Sequence, residues 1–100
     1  MEAVLRRHHG DAPDPAALER LLNAEARDVY GWSSAPRDQF AEHEHPYTKI
    51  LYCVRGSIDF TLSDGRLLAL GAGDGLTLPV GTRHRARSGP EGCACIEGKV

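Results

Sequence analysis

The sequence has no apolar stretch that approaches the length of a membrane span, and no apolar segment precedes the charges of its first fifteen residues. It also lacks an excess of charge of either sign, since 12 basic and 14 acidic residues leave a net charge of −2. The chain as a whole therefore offers no electrostatic surface for nucleic acid or an acidic membrane. We expect a cytoplasmic protein with neither a nucleic-acid nor a membrane partner.

Cysteine is scarce and odd in number. The three cysteines, Cys53, Cys93 and Cys95, argue against a secreted disulfide framework and for reduced thiols. Cys93 and Cys95 could in principle bind a soft metal ion, but no second Cys/His pair at zinc-finger spacing accompanies them. We therefore interpret them as small buried residues on one face of a strand.

The composition that remains is ordinary for one folded domain, with 100 residues of which 41% are hydrophobic and 26% are charged. One segment has helical periodicity. Asp14 can cap a helix, Pro15 suits its first turn, and the leucines that follow recur at spacings of three and four. These signals predict a helix that ends at about Ala26, with an edge strand at residues 3–7 before it.

From residue 28 onward, short runs of β-branched and aromatic residues are separated by Gly, Pro and Asp, which is typical of an all-β sandwich or barrel. Ile58, Phe60 and Leu62 alternate with polar residues, as a half-buried strand requires. The Ser-Asp-Gly sequence that ends at Gly65 then predicts a hairpin turn. The predicted strands are Asp28–Trp32, Gln39–His43, Lys49–Val54, Ser57–Leu62, Arg66–Leu70, Leu76–Leu78, His84–Arg87 and Ala94–Glu97.

Two segments carry histidines that can meet. In HEHPYTKILYCVRG, His43 and His45 stand one residue apart, so an extended strand directs both imidazoles to one side. In GDGLTLPVGTRH, Gly73 and Gly81 supply turns and His84 begins the next strand. Three imidazoles that present nitrogens at roughly 2 Å to one point form a metal site with open positions for water or substrate. Imidazole ligands suit Zn, Cu, Fe or Ni.

The spacing of these segments resembles the paired motifs of the cupin family. The resemblance implies an all-β cupin jelly-roll barrel (double-stranded β-helix) in residues 28–100, with a strand and helix extension in residues 1–27. It also implies a divalent transition metal (Zn, Fe, Ni, Mn or Cu) held by three His and one Glu, a small-molecule ligand or substrate, and a homodimer. The matching positions are His43, His45 and Gly56 in the first motif and Gly73, Pro79, Gly81 and His84 in the second.

The sequence departs from the family pattern where Lys49 occupies the usual Glu position and Ser88 stands where Asn is frequent. Alternation directs Lys49 to the same side as His45. An ammonium about 5 Å from an uncompensated dication costs roughly 6–7 kcal/mol at an effective dielectric constant near 20. Lys49 can lose its proton and act as a base or nucleophile, turn to a carboxylate partner, or replace the metal's charge.

These alternatives lead to different functions. The first hypothesis is a metal-binding protein in which Lys49 and Tyr47 face the substrate; if it is an enzyme, it is a metal-dependent oxygenase, isomerase or lyase. The second is a non-catalytic module that binds a small anionic metabolite through Lys49 without a metal. The third is a structural or regulatory dimer with an empty barrel.

Two surface features complete the predictions. Three arginines alternate along one segment, and we interpret them as a solvated outer face. An apolar outer face on one sheet must be covered either by the helix or by a partner subunit. The arginines are Arg83, Arg85 and Arg87, and the apolar face consists of Ile50, Tyr52 and Val54.

Overall fold

The computed structural model describes residues 2–11 and 13–100, so that residues 1 and 12 of the predicted extension lie outside it. The described residues form one helix and seven strands, which confirms the all-β prediction with a short N-terminal helix. In chain order these are β1 (Val4–Arg6), α1 (Pro15–Glu25), β2 (Arg27–Ser34), β3 (Gln39–His43), β4 (Lys49–Leu62), β5 (Leu67–Gly71), β6 (Gly75–Leu78) and β7 (His84–Lys99). No helix among these residues has the length and apolarity needed to cross a membrane.

The helix begins at Pro15, as predicted, but its N-cap works differently. The Asp14 side chain makes no capping hydrogen bond. Its backbone carbonyl instead accepts hydrogen bonds from the N–H groups of Ala17 and Leu18, at 2.9 and 3.2 Å. The helix ends at Glu25 because the next residue turns to an extended conformation. Asp14 is therefore the N-cap residue, as predicted, but its backbone carbonyl and not its side chain makes the bonds at this end of the helix.

The helix covers the apolar outer face of the sheet. Leu18 and Leu22 of α1 are buried in one cluster with Ile50 and Tyr52 of β4, and Val54 packs against the edge of that cluster. Burying a leucine side chain contributes about 1.5–3 kcal/mol, so these contacts fix the helix on the barrel. The face is thus covered within one chain, and the homodimer stays a prediction.

All strand pairs are antiparallel. The main sheet has the order β1-β6-β4-β7-β2, while β3 pairs with β7 and β5 pairs with β4. Residues 49–54 and 57–62, predicted as two strands, belong to one strand that stays paired through two register shifts between Cys53 and Ile58. At this bend Gly56 has a φ of 75°, and a Cβ there would collide with the carbonyl oxygen of Gly92. The predicted strands His84–Arg87 and Ala94–Glu97 likewise form the single long strand β7.

The barrel interior follows the predicted alternation. Ile58, Phe60 and Leu62 are buried on one face of β4. Cys93 and Cys95 are buried beside them, which confirms their interpretation as small core residues. The three alternating arginines are exposed, also as predicted. The hairpin turn after β4 is present, with Gly65 at a φ of 95°.

Candidate metal centre

Three histidines meet at one end of the barrel interior. His43 is the last residue of β3 and is paired in register with His84, the first residue of β7, while His45 lies two residues beyond β3. Their ligand nitrogens all lie within 4.8 Å of one another, and their ring centroids are 4.4 to 5.4 Å apart. The predicted meeting of these imidazoles, here called the histidine cluster, is confirmed.

Backbone carbonyls select the tautomer of two of these rings. His43 Nδ1 is 2.6 Å from the carbonyl oxygen of Ala41, and His84 Nδ1 is 2.8 Å from that of Thr82. Because a carbonyl oxygen only accepts hydrogen bonds, we infer that Nδ1 carries the proton and Nε2 keeps its lone pair. This arrangement orients a histidine for metal binding through Nε2.

Two of the Nε2 atoms have no hydrogen-bond partner among the described residues. They are Nε2 of His45 and Nε2 of His84, and both are buried. A buried nitrogen without a partner costs about 1–3 kcal/mol, so native structures rarely keep one without a ligand, an ion or water to satisfy it. The unsatisfied atoms therefore lie where a metal ion would bind.

Burial also keeps two of the three rings neutral. It lowers the pKa of His45 to about 4, and the positive charge of Lys49 lowers it further. Burial likewise lowers the pKa of His84, against the opposing effect of its hydrogen bond to Thr82. Both rings are neutral at pH 7, and the neutral form is the one that binds a metal without first releasing a proton.

Lys49 lies in the interior, with 7% of its surface exposed, and is paired there. Its Nζ is 3.1 Å from Oε2 of Glu97, and Trp32 Nε1 donates to Oε1 of the same carboxylate at 2.7 Å. Of the three outcomes weighed for this lysine, the structure shows the one in which it turns to a carboxylate. Because the two charges compensate each other, a dication at the histidine cluster does not face an isolated ammonium.

Sequence reasoning missed Glu97 as a site residue. It lies in β7, where its register partners are Leu51 of β4 and Tyr30 of β2. The available signal was alternation, because Cys93, Cys95 and Glu97 share the inward face of one strand. An acidic residue on an inward face predicts a buried partner of opposite charge.

A cavity of about 440 Å³ connects the histidine cluster with the ion pair of Lys49 and Glu97. Its walls are largely aromatic and aliphatic, and Tyr30, which is 52% exposed, stands at its rim. Besides the cluster and the ion pair, the lining residues are Tyr30, Trp32, Ser33, Phe40, Leu51, Ile58, Phe60 and Ala86.

Tyr47 lies beside the cluster rather than on the cavity wall. Its ring centroid is 5.0 Å from that of His45, and the Lys99 ammonium lies 4.7 Å from its ring centroid. Tyr47 is absent from the described residues that line the cavity. Its predicted role toward a substrate stays a prediction.

Ion pairs on the outside of the barrel connect the two histidine-bearing segments. Arg83, next to His84, contacts Glu42 at 3.1 Å and Glu44 at 3.4 Å, and these acids flank His43. All three charged side chains are exposed, so solvent screens these pairs and they contribute little to stability. They support the positions of the segments without entering the site.

The cupin domain family model matches residues 32–97, a span that contains the histidine cluster and the ion pair. The chain therefore belongs to the cupin family.

One curated relative matches about half of the chain. Over 54 residues the chain is 39% identical to the polyketide synthase CurC of Streptomyces cyaneus, which covers 53% of this chain and 34% of that protein. The chain thus spans about a third of the length of this curated relative.

Solved structures show the same fold. A DUF861 family protein from Thermotoga maritima matches 99% of this chain and 100% of its own at 19% identity, with a TM-score of 0.66. An RmlC-like cupin from Shewanella frigidimarina matches 69% of this chain and 60% of its own at 25% identity, with a TM-score of 0.62. The predicted cupin jelly-roll barrel is confirmed.

Proposed function

We propose that this cupin domain binds one divalent transition metal through the histidine cluster and presents it to a small organic molecule in the cavity. The observation that carries the proposal is the pair of buried Nε2 atoms of His45 and His84 that have no protein partner. With His43 they form a set of three nitrogen donors. Such a set suits Zn, Fe, Ni or Cu and leaves coordination positions open.

The charge around the cluster fits a dication. His45 and His84 are neutral because burial lowers the pKa of each ring, and the nearby ammonium of Lys49 is compensated by Glu97 at 3.1 Å. A bound metal would supply Lewis-acid polarisation of an oxygen atom on the molecule in the cavity. The protein's own residues would position that molecule, since the cavity walls are rigid strand residues.

The cavity supports a neutral, largely apolar molecule with an oxygen-bearing group. Its volume of about 440 Å³ lies in the range of small-molecule sites. Phe40, Phe60 and Trp32 line it, and its two charged residues already bind each other. The match to a protein named as a polyketide synthase supports the proposal that this ligand is a compound of polyketide type. We propose an activity as a metal-dependent oxygenase, isomerase or lyase on such a compound.

The same ion pair makes the anion-binding alternative less well supported. An anionic metabolite bound through Lys49 would either displace Glu97 from the ammonium or bring a second negative charge beside that carboxylate. In both cases one negative charge in the buried cavity would lack compensation, which is costly. The metal-binding proposal needs no such rearrangement.

Elemental analysis tests the metal proposal. Protein purified without chelator, or loaded with Zn²⁺ or Mn²⁺ and desalted, should contain close to one metal ion per chain. The variant His43→Ala/His84→Ala should contain close to none. The matched control His8→Ala/His9→Ala removes two exposed imidazoles and should keep the wild-type content.

Two outcomes would contradict the proposal. One is wild-type protein that retains no metal after loading. The other is equal metal content in the cluster variant and in the wild type, because the ion would then lie elsewhere.

A further inference from the structure

We propose that Glu97 is a general base. It removes a proton from the carbon next to the carbonyl group of a neutral aromatic ketone bound in the cavity. This inference rests on the proposed function and deepens it by naming a substrate class. Lys49 is the counter-charge for the enolate that forms.

Glu97 is placed to receive a proton. It is 4% exposed and lies on the cavity wall. Lys49 binds Oε2 at 3.1 Å and Trp32 binds Oε1 at 2.7 Å, so the carboxylate is held from two sides. Each carboxylate oxygen can accept a second hydrogen bond, which leaves a lone pair for a ligand proton. Within the described chain, Glu97 is the one carboxylate that lines this cavity.

The ion pair gives the proton transfer a constant total charge. The C–H bond breaks and its electron pair forms a carbon–carbon double bond, while the carbonyl π electrons move to the oxygen. The proton binds a Glu97 oxygen. Negative charge thus moves from the carboxylate to the enolate oxygen, and the Lys49 ammonium balances it in both states. Because the site is buried, a transfer that creates no unpaired charge avoids a large desolvation cost.

The surroundings indicate which molecules qualify. The ion pair holds the only described charged residues of the cavity, and its two charges compensate each other, so the protein side chains favour a neutral ligand. Trp32, Phe40 and Phe60 offer aromatic surfaces, which favour a flat apolar body. A ketone attached to an aromatic ring combines these properties with acidic protons next to its carbonyl group.

Proton exchange provides the test, with acetophenone as the probe. Metal-loaded wild-type protein in D₂O should replace the methyl protons of acetophenone with deuterium faster than buffer alone, as followed by proton NMR. Glu97→Gln keeps an oxygen for Trp32 but cannot act as a base, so the protein-dependent exchange rate should fall at least about 100-fold. Glu91→Gln makes the same change at an exposed position of β7 and should leave the rate unchanged.

A second variant guards against misfolding. If Glu97→Gln leaves the buried ammonium unpaired and does not fold, Lys49→Met/Glu97→Gln removes both charges together, and it should also lose the exchange.

Metal content is measured in every sample. Wild-type exchange no faster than buffer with metal bound would overturn the inference but leave the metal proposal intact. Exchange that persists in the folded Glu97 variants would overturn it as well. Exchange that depends on Glu97 in protein that binds no metal would support the base and refute the metal.

Discussion

The interior of this barrel contains two groups of three potential metal ligands, and the groups differ in how their atoms are satisfied. The cysteine cluster (Cys53, Cys93 and Cys95) is fully enclosed in the hydrophobic core. Cys93 Sγ lies 3.2 Å from Ser34 Oγ, and Cys95 Sγ donates to Cys93 Sγ at 3.9 Å. In the histidine cluster, by contrast, two buried nitrogens have no described partner and the rings border a cavity.

The same strand alternation brings both groups inside, so proximity alone does not distinguish a site from a core. Among the described residues, converging ligand atoms are found in the histidine cluster and not in the cysteine cluster. What distinguishes the histidines is space beside them and atoms that the protein leaves without partners. A binding site needs both, because a ligand must have a volume to occupy and an interaction to gain.

The largest loss of stability should come from breaking the ion pair of Lys49 and Glu97 in the cavity. Lys49→Met removes the ammonium and leaves the Glu97 carboxylate buried without its partner. We expect a loss of about 3–5 kcal/mol in the free energy of unfolding, measured by urea denaturation. The double variant Lys49→Met/Glu97→Gln should recover most of it, because neither charge remains. A loss below about 1 kcal/mol in the single variant would show that the pair is solvated in solution.

Much of the two clusters could be predicted from the sequence, because the alternation of side chains along a strand is a local property. Alternation correctly predicts that Cys93 and Cys95 share one face of a strand. It also indicates one side for His43 and His45, although His45 lies beyond the end of β3. The family resemblance then correctly placed His84 near these two histidines. It could not supply a partner for Lys49, because the family pattern has Glu at that position.

The ion pair and the cavity depend on non-local structure. Lys49 and Glu97 are 48 positions apart in the sequence, and they meet through the register of β4 on β7. That register includes two shifts near Gly56, which sequence reasoning instead interpreted as the end of a strand. The volume beside the histidines depends on how side chains from several strands fill the barrel, so the sequence did not predict it.

A smaller loss of stability should appear when the pH of a solution of metal-free protein is lowered. The pKa of His45 is about 4 in the folded chain because burial disfavours its charged form, against about 6.5 in an unfolded chain. Between these values the unfolded chain binds the proton and the folded chain does not. The free energy of unfolding therefore falls as pH falls from 6.5 to 4. We expect a contribution of about 1–2 kcal/mol after solvent screening is allowed for.

Urea denaturation at pH 7.5 and pH 4.5 measures this loss. His45→Gln has no such titration, so its stability should decrease less over the same interval, and the difference isolates His45 from the carboxylates. His84 acts in the same direction, since burial lowers its pKa too. Equal losses in wild type and His45→Gln would mean that His45 is not buried as the structure shows.

The smallest loss of stability should come from a substitution in the cysteine cluster. It tests whether the cysteine cluster is only part of the core while the histidine cluster binds the metal. Cys95 is 1% exposed and packs within the core. Cys95→Ala removes one heavy atom, comparable to Ile→Val, so we expect a loss of about 1 kcal/mol in the free energy of unfolding. Metal content should stay at the wild-type value because the sulfur has only protein neighbours. If instead the folded variant lost its metal, a thiolate would be a ligand, and the two clusters would have to be parts of one metal site.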